Sequence, residues 1–457
     1  MVNSLPGSIF VASLLLATTV ATAGSANVDR AVDQIRHAIG DTAGLDGPGC
    51  VVGILKGGRQ FLVVAEGAAD IAAGKALDAD TQFYAASVAK QFTALAAAQL
   101  VTSGQIGMGD EIHRFLPELP RYREPVTVAM LLHHTSGIRD MLELGAYAGY
   151  ETSASVSRED ALKLVFSQTE TAFAPGTQHR YSNSGYLLLS EIIARVSGIP
   201  FAEFMQNRVF DPLGMRRTRI LDGSRVTDVN SAHGYAPSGE GYKLADTHPF
   251  YGGSGGEVTT INDLAKYDHD IQVAHKVWTP EVSKIMLAPG TLASGAPAAR
   301  GKSVYAGGLS LDGAWVHHGG AAEGYRNMVA WLPAGRLSVH VLCNNGSSDA
   351  AAITDRVVAA IGGFPPPHLA TMDLAGRYAS VDLPVIYTLS PVGTARLDIT
   401  IEPRGNIGRK RLITLTRAPD GSYMSKGFRL VADPDRRGFL LGDDRGRVGS
   451  LHFLRAD

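Results

Sequence analysis

The sequence predicts an α+β fold: one antiparallel sheet drawn from both ends of the chain, a helical region inserted between them, and a small all-β module at the carboxy terminus. Three observations carry this. A helix and a β-hairpin open the chain, β-type runs return only after residue 313, and Pro365-Pro366-Pro367 separates these from a last set of short strands. Val28, Ala31, Val32, Ile35 and Ile39 make one apolar stripe behind Asn27 as N-cap, so the first helix should end near Gly40. The runs from Cys50 to Leu55 and from Phe61 to Ala65 flank Lys56-Gly57-Gly58-Arg59, which is hairpin patterning. From about residue 87 to 300 the signals are helical and loop-like, with an Ala-rich run from Ser87 to Val101 and a helix from Tyr186 to Val196 stopped by Gly198. Strand runs follow at Ala314 to His317, Tyr325 to Trp331 and Leu337 to Cys343, then a helix from about Asp349 to Ile361. Beyond the prolines, Leu397 to Ile401, Arg411 to Thr416, Phe428 to Val431 and Gly449 to Leu454 read as short strands of a barrel or meander. The expected division is 27–363 for the main domain and 369–457 for the β module.

Composition narrows the function classes. With 457 residues, 45% hydrophobic and 19% charged, the chain can bury one large core and a smaller one. Lys+Arg of 42 against Asp+Glu of 44 leaves a formal charge of -2, which offers no footprint for a nucleic-acid backbone or an anionic membrane. The run from Ile9 to Ala23 is too short to span a bilayer and ends in Ala21-Thr22-Ala23, the small-x-small pattern of a signal-peptidase site. Residues 1–23 are therefore expected to be a signal peptide, or an uncleaved anchor because no Lys or Arg precedes the apolar run. Either way the body is expected to be secreted or periplasmic, with no integral span after cleavage. Cys50 and Cys343 are too few for a zinc site or a disulfide framework, and the 14 histidines show no metallohydrolase spacing.

Three short motifs could carry chemistry. Ser87-Val88-Ala89-Lys90 puts an ammonium one helical turn from a serine hydroxyl at a helix start. A lysine depressed by burial can take the serine proton, and the helix amino terminus favours negative charge. Alone, such a tetrapeptide more often marks an N-cap serine and a solvated lysine. Tyr181-Ser182-Asn183 follows the turn Ala174-Pro175-Gly176-Thr177; its tyrosine could move a proton and its asparagine could bond a substrate carbonyl. His318-Gly319-Gly320 lies at the end of a strand, where glycines let a substrate backbone approach. Each of these, alone, is also satisfied by an ordinary loop or turn.

Their order is what points to a family. Ser-x-x-Lys, then Tyr-x-Asn, then a basic residue-x-Gly on a late strand resembles the three-motif signature of serine β-lactamases and penicillin-binding proteins, on the class C, D-alanyl-D-alanine-peptidase, D-aminopeptidase and esterase side. Leu131-Leu132-His133-His134-Thr135-Ser136-Gly137, Phe173-Ala174-Pro175-Gly176, Tyr181-Ser182-Asn183-Ser184-Gly185-Tyr186 and Pro212-Leu213-Gly214-Met215 are similar to the family's connecting segments. The resemblance implies a five-stranded antiparallel sheet flanked by helices, with the site in the crevice beside a helical subdomain. It implies Ser87 as acyl-accepting nucleophile, Lys90 as its activator, Tyr181 as general acid/base, and Asn183, His318 and Gly320 as substrate-binding positions. The oxyanion hole would be the backbone N–H groups of Ser87 and Ala321. No metal or organic cofactor is needed for such chemistry, and the partner is a small-molecule or peptide substrate. A D-amino-acid peptide, an ester or a β-lactam all fit; a penicillin- or peptidoglycan-fragment-binding sensor with slow or no turnover is the alternative.

Two positions depart from the efficient β-lactamases. Histidine stands where they carry lysine, with His317 as the other possible register, and an ordinary imidazole would become cationic only below about pH 6.5. The carboxy-terminal module is the second departure. Finally, the family's first and last strands are antiparallel neighbours, which would set Cys50 beside Cys343 as a disulfide or as two buried thiols.

Overall fold

In the computed structural model, residues 30–456 are described except 41–43, 224–229, 240, 247, 363–374, 381–382, 393–395, 405–409, 418–422, 426–427, 434–437 and 443–450. The expected signal peptide and the expected boundary near 363–369 lie outside the described residues. Helix α1 (30–39) precedes the hairpin β1 (Cys50–Lys56) and β2 (Arg59–Glu66). The helical region contains α2 (Lys90–Thr102) and α3 (Asn183–Ser197). Three short strands, β3 (Ala299–Arg300), β4 (Ser303–Tyr305) and β5 (Ser310–Asp312), lead into β6 (Trp315–Ala322), β7 (Tyr325–Leu332) and β8 (Leu337–Cys343), and α4 (Ala350–Ile361) closes this part of the chain.

The main sheet has eight strands in the order β3-β4-β5-β6-β7-β8-β1-β2. This corrects the expected five. The five long strands are joined by three edge strands of two or three residues each, too short to show alternation in the sequence. Both faces of the sheet are covered. Val52, Ile54, Val339 and Val341 pack against Ile35 of α1 and Ile353, Val357 and Val358 of α4, while Val51, Val329, Trp331 and Leu342 join the core that contains α2. Helix α2 is buried on nearly all sides, consistent with the apolar FTALAAAQLV run at its centre, and it takes Lys90, Gln91 and Thr93 into the core with it.

Strand β1 pairs antiparallel with β8 in the register Cys50↔Cys343, and the two sulfurs are bonded across 293 residues of sequence. The paired alternative, not two free thiols, is the one found. Residues 376–455 form a separate closed antiparallel barrel of eight strands with its own core of Tyr378, Leu389, Leu397, Ile399, Leu415, Leu430, Phe439 and Phe453. Four of its strands coincide with expected runs; Gly376–Ser380, Val385–Val392, Tyr423–Ser425 and Gly438–Gly442 were not expected. Arg417 of the barrel reaches Asp349, the N-cap of α4, at 3.2 Å. Among the described residues, no helix is long and apolar enough to cross a membrane.

Candidate active site

The backbone turns sharply where the short strand Phe83–Tyr84 meets the helical region. Ala86 has φ +51, a left-handed conformation that L-residues with a Cβ rarely hold, and a 3₁₀ turn over Ala86–Ala89 then feeds α2. This sets Ser87 in the turn that precedes the helix. Strand β6 lies directly against it: a Cβ on Gly320 would stand 2.3 Å from the Ala85 carbonyl oxygen, so only glycine allows this approach. The side chain of Asn327 on β7 fastens the same segment by donating to Tyr84 O at 2.9 Å.

Lys90, the first residue of α2, is fully buried. Its Nζ lies 3.1 Å from Ser87 Oγ, 2.9 Å from Asn183 Oδ1 and 2.6 Å from Ser254 O. Burial pulls its pKa down to about 7, with the nearby Asp140 carboxylate opposing. The ammonium also stands 4.8 Å from the Tyr181 ring centroid and 5.7 Å from that of Tyr186. Burial pushes the Tyr181 hydroxyl far above its ordinary range, and a hydrogen bond with the Ser87 hydroxyl draws it partly back. Tyr181 is consequently a neutral phenol that can donate or relay a proton.

The residues around Tyr181 are held by the Leu131–Asp140 segment. Ser182 Oγ donates to Ile138 O at 3.1 Å, Ser184 Oγ to Arg139 O at 2.7 Å and Tyr186 Oη to Leu132 O at 2.8 Å. Asp140 Oδ2 accepts the Asn183 N–H at 2.5 Å, which places an anion at the amino terminus of α3.

His318 is the histidine of the cleft. Its Nε2 is 3.0 Å from Tyr305 Oη and its ring lies 6.2 Å from that of Tyr181, while Nδ1–H donates to the Gly319 carbonyl at 2.6 Å. With Nδ1 protonated, Nε2 accepts the Tyr305 O–H. His317 alternates to the other face of β6, and its ring nitrogens have no partner among the described residues. One expectation is corrected here. Burial, with Lys90 adding to it, pushes His318 down to about 3, so it does not acquire a charge near pH 6.5. The ordinary imidazole that the residue type suggests is only 6% exposed in the fold.

Thus the structure brings Ser87, Lys90, Tyr181, Asn183, His318 and Gly320 together, with Ala321 next along the strand. Several of their partners carried no recognised signal. The Ser254 carbonyl comes from Tyr251-Gly252-Gly253-Ser254-Gly255-Gly256, a glycine-rich run visible in the sequence whose tight turn leaves no room for a side chain: a Cβ on Gly256 would meet Tyr251 O at 1.8 Å. Tyr305 and Asp140 stand alone in the sequence and are recruited only by the fold. His134 belongs to the Leu131–Gly137 segment, where its residue type alone does not mark it out from His133.

The family model described as Beta-lactamase matches residues 28–363. A D-aminopeptidase of Cereibacter sphaeroides is 29% identical over 356 residues, 77% of this chain and 66% of that protein, so the chain spans slightly under two thirds of this relative. A D-aminopeptidase of Gluconobacter oxydans is 27% identical, covering 83% of this chain and 71% of its own length. Among solved structures, the octameric penicillin-binding protein homologue from Pyrococcus abyssi superposes with a TM-score of 0.65 at 22% identity, over 95% of this chain and 99% of that one. The D-amino acid amidase from Ochrobactrum anthropi SV3 gives 0.60 at 21% identity, over 72% and 98%. A family match over residues 28–363, most of the chain, has one meaning: the chain belongs to the beta-lactamase family.

Proposed function

We propose that this protein is an exported hydrolase that forms an acyl-enzyme on Ser87 and acts on amides, short peptides or esters of D-amino acids. The observation that carries the mechanism is Lys90 Nζ, fully buried and 3.1 Å from Ser87 Oγ. Of its three neighbours, Asn183 Oδ1 and Ser254 O can only accept. In the neutral amine the two N–H bonds stay on those carbonyls and the lone pair faces the Ser87 hydroxyl. Lys90 takes that proton as Oγ attacks the substrate carbonyl, and the charge developing on oxygen is met by the N–H groups of Ser87 and Ala321. The proton held by Lys90 is then relayed through the Tyr181 hydroxyl to the leaving amine or alcohol, which restores the pair; water gives a proton to the same pair as it attacks the acyl carbonyl, and Ser87 Oγ takes that proton back as the acid is released.

The substrate class is supported by the charge of the cleft. A neutral His318 offers no cation to a substrate carboxylate, which disfavours carboxypeptidase and efficient β-lactamase action and favours substrates whose carboxyl is amidated or esterified. The D-aminopeptidase relatives point the same way. Export is supported by the signal-like amino terminus and by the Cys50–Cys343 bond, which suits an oxidising compartment. The test is a substrate panel on purified protein: D-alaninamide, D-alanine p-nitroanilide, p-nitrophenyl esters, D-Ala-D-Ala peptides with a free carboxyl, and nitrocefin. The D-amino-acid amides and esters should turn over fastest. A clear preference for free-carboxyl peptides or nitrocefin would overturn the substrate assignment, and stable labelling without turnover of any member would favour the sensor reading.

A further inference from the structure

His134 holds the chain on both sides of Tyr181. Its carbonyl accepts the Arg180 N–H at 2.8 Å, and its ring Nδ1 accepts the Ser182 N–H at 3.2 Å. Its ring lies 4.3 Å from the Tyr181 ring and 4.4 Å from that of Tyr305, the residue bonded to His318. The backbone of His134 sits at φ +57, a conformation that few residues with a Cβ adopt, although Asn, Asp and His are enriched there. Ala86, beside the nucleophile, is another of the four non-glycine residues with positive φ among the described ones. Such conformations persist where the surroundings over-determine them, and these two bracket the two reacting side chains.

We propose that His134 is a positioning residue, whose Nδ1 acceptor fixes Tyr181 against Ser87 and Lys90. This rests on the role of Tyr181 given above. An acceptor at Nδ1 requires the neutral tautomer with its proton on Nε2. The surroundings favour that state: burial disfavours a charge on the ring, protonated Lys90 would repel one, and Tyr181, Tyr186 and Tyr305, which face the ring, are neutral phenols that offer no anion. A doubly protonated ring would turn an N–H toward the N–H of Ser182 and release the chain next to the phenol. Packing alone would need only the ring. The hydrogen bond to the residue immediately after Tyr181 is what separates positioning from filling.

The test compares two replacements on a D-amino-acid p-nitrophenyl ester. His134→Phe keeps the ring and removes the acceptor, and His134→Asn supplies an acceptor at a similar distance from the backbone and tolerates φ +57. The first should lower kcat by about 10–10²-fold with KM within about twofold, since small misplacements of a reacting group cost on this scale. The second should restore kcat to within about threefold of the parent. A parental kcat in His134→Phe, or equal impairment in both variants, would overturn the proposal. Because an altered core residue can prevent folding, the parent protein supplies a second measurement. In ¹⁵N-labelled protein a coupling across the hydrogen bond should link the Ser182 amide to His134 Nδ1; a proton found on Nδ1 at neutral pH would overturn it. Tyr181→Phe separates the two levels of the argument: full activity there removes the role of Tyr181 and the positioning with it, whereas an inactive Tyr181→Phe beside an active His134→Phe removes only the positioning.

Discussion

A lysine drawn down to about 7 is roughly half neutral at neutral pH, and this sets the behaviour of the individual residues. Acylation of Ser87 should rise with pH through about 7 and level off above it, because the active form of Lys90 is the deprotonated one. Lys90→Ala should lower acylation by about 10²–10⁴-fold, and Lys90→Arg should not rescue it because a guanidinium keeps its proton. Stopped-flow acylation across pH 5–9 measures both. His318 gives the opposite expectation. Held near 3, it stays neutral, so the KM of a carboxylate-bearing substrate should not improve relative to a neutral ester between pH 7 and 5, and His318→Gln should leave that comparison unchanged. Glu257, whose carbonyl anchors Ala85 two residues before Ser87, is a buried acid with neither side-chain oxygen partnered among the described residues, and burial raises its pKa well above 4.5. Above pH 4.5 the unfolded chain releases that proton while the folded one keeps it, so stability falls as pH rises. Glu257→Gln removes this cost, and its thermal midpoint should gain on the parent progressively from pH 5 to 8. An unchanged gap would show that Glu257 is ionised in the fold.

At the scale of elements, the bond between β1 and β8 fixes two strands that enter the sheet from opposite ends of the chain. A loop of that length corresponds to about 5–6 kcal/mol on the chain-entropy account. A Cys50→Ala, Cys343→Ala double variant should lose stability of that order in urea unfolding, with acylation kinetics kept because neither sulfur is in the cleft. What the sequence made legible follows the range of the interactions. Ser87 and Lys90 are one turn apart, and Tyr181 and Asn183 two residues apart, so their relation is written locally. The junction of the two pairs is tertiary: the 2.9 Å contact from Lys90 to Asn183 Oδ1 spans 93 residues and that to the Ser254 carbonyl spans 164. Nothing in the neighbourhood of Tyr305 or Asp140 marks them. The hairpins of the main sheet were readable because Cys50–Lys56 and Leu337–Cys343 are long apolar runs, whereas β3, β4 and β5 have too few residues to show a period. The neutrality of His318 depends on burial, which the residue type does not reveal.

For the whole molecule, a set of desolvated imidazoles contributes to the response to acid. Burial holds His133, His179, His317 and His340 down to about 4, His318 to about 3, and His134 well below its usual value. Below about pH 6.5 these groups take up protons in the unfolded chain and not in the folded one, so stability is full above that pH and declines as pH falls toward 4. Near-ultraviolet circular dichroism should show cooperative loss of packing between about pH 4 and 5; a native spectrum at pH 3 would mean that these rings are hydrated. The central claim is chemical, however, and one measurement addresses it most directly. The protein is treated with a fluorophosphonate or a slowly hydrolysed D-amino-acid ester at pH 6, 7 and 8, digested, and the adduct located and timed by mass spectrometry. The expected result is a single adduct on Ser87 whose rate of formation climbs through about pH 7 and is lost in Lys90→Ala. An adduct on another residue, or a Ser87 adduct whose rate is indifferent to both pH and Lys90, would contradict the account.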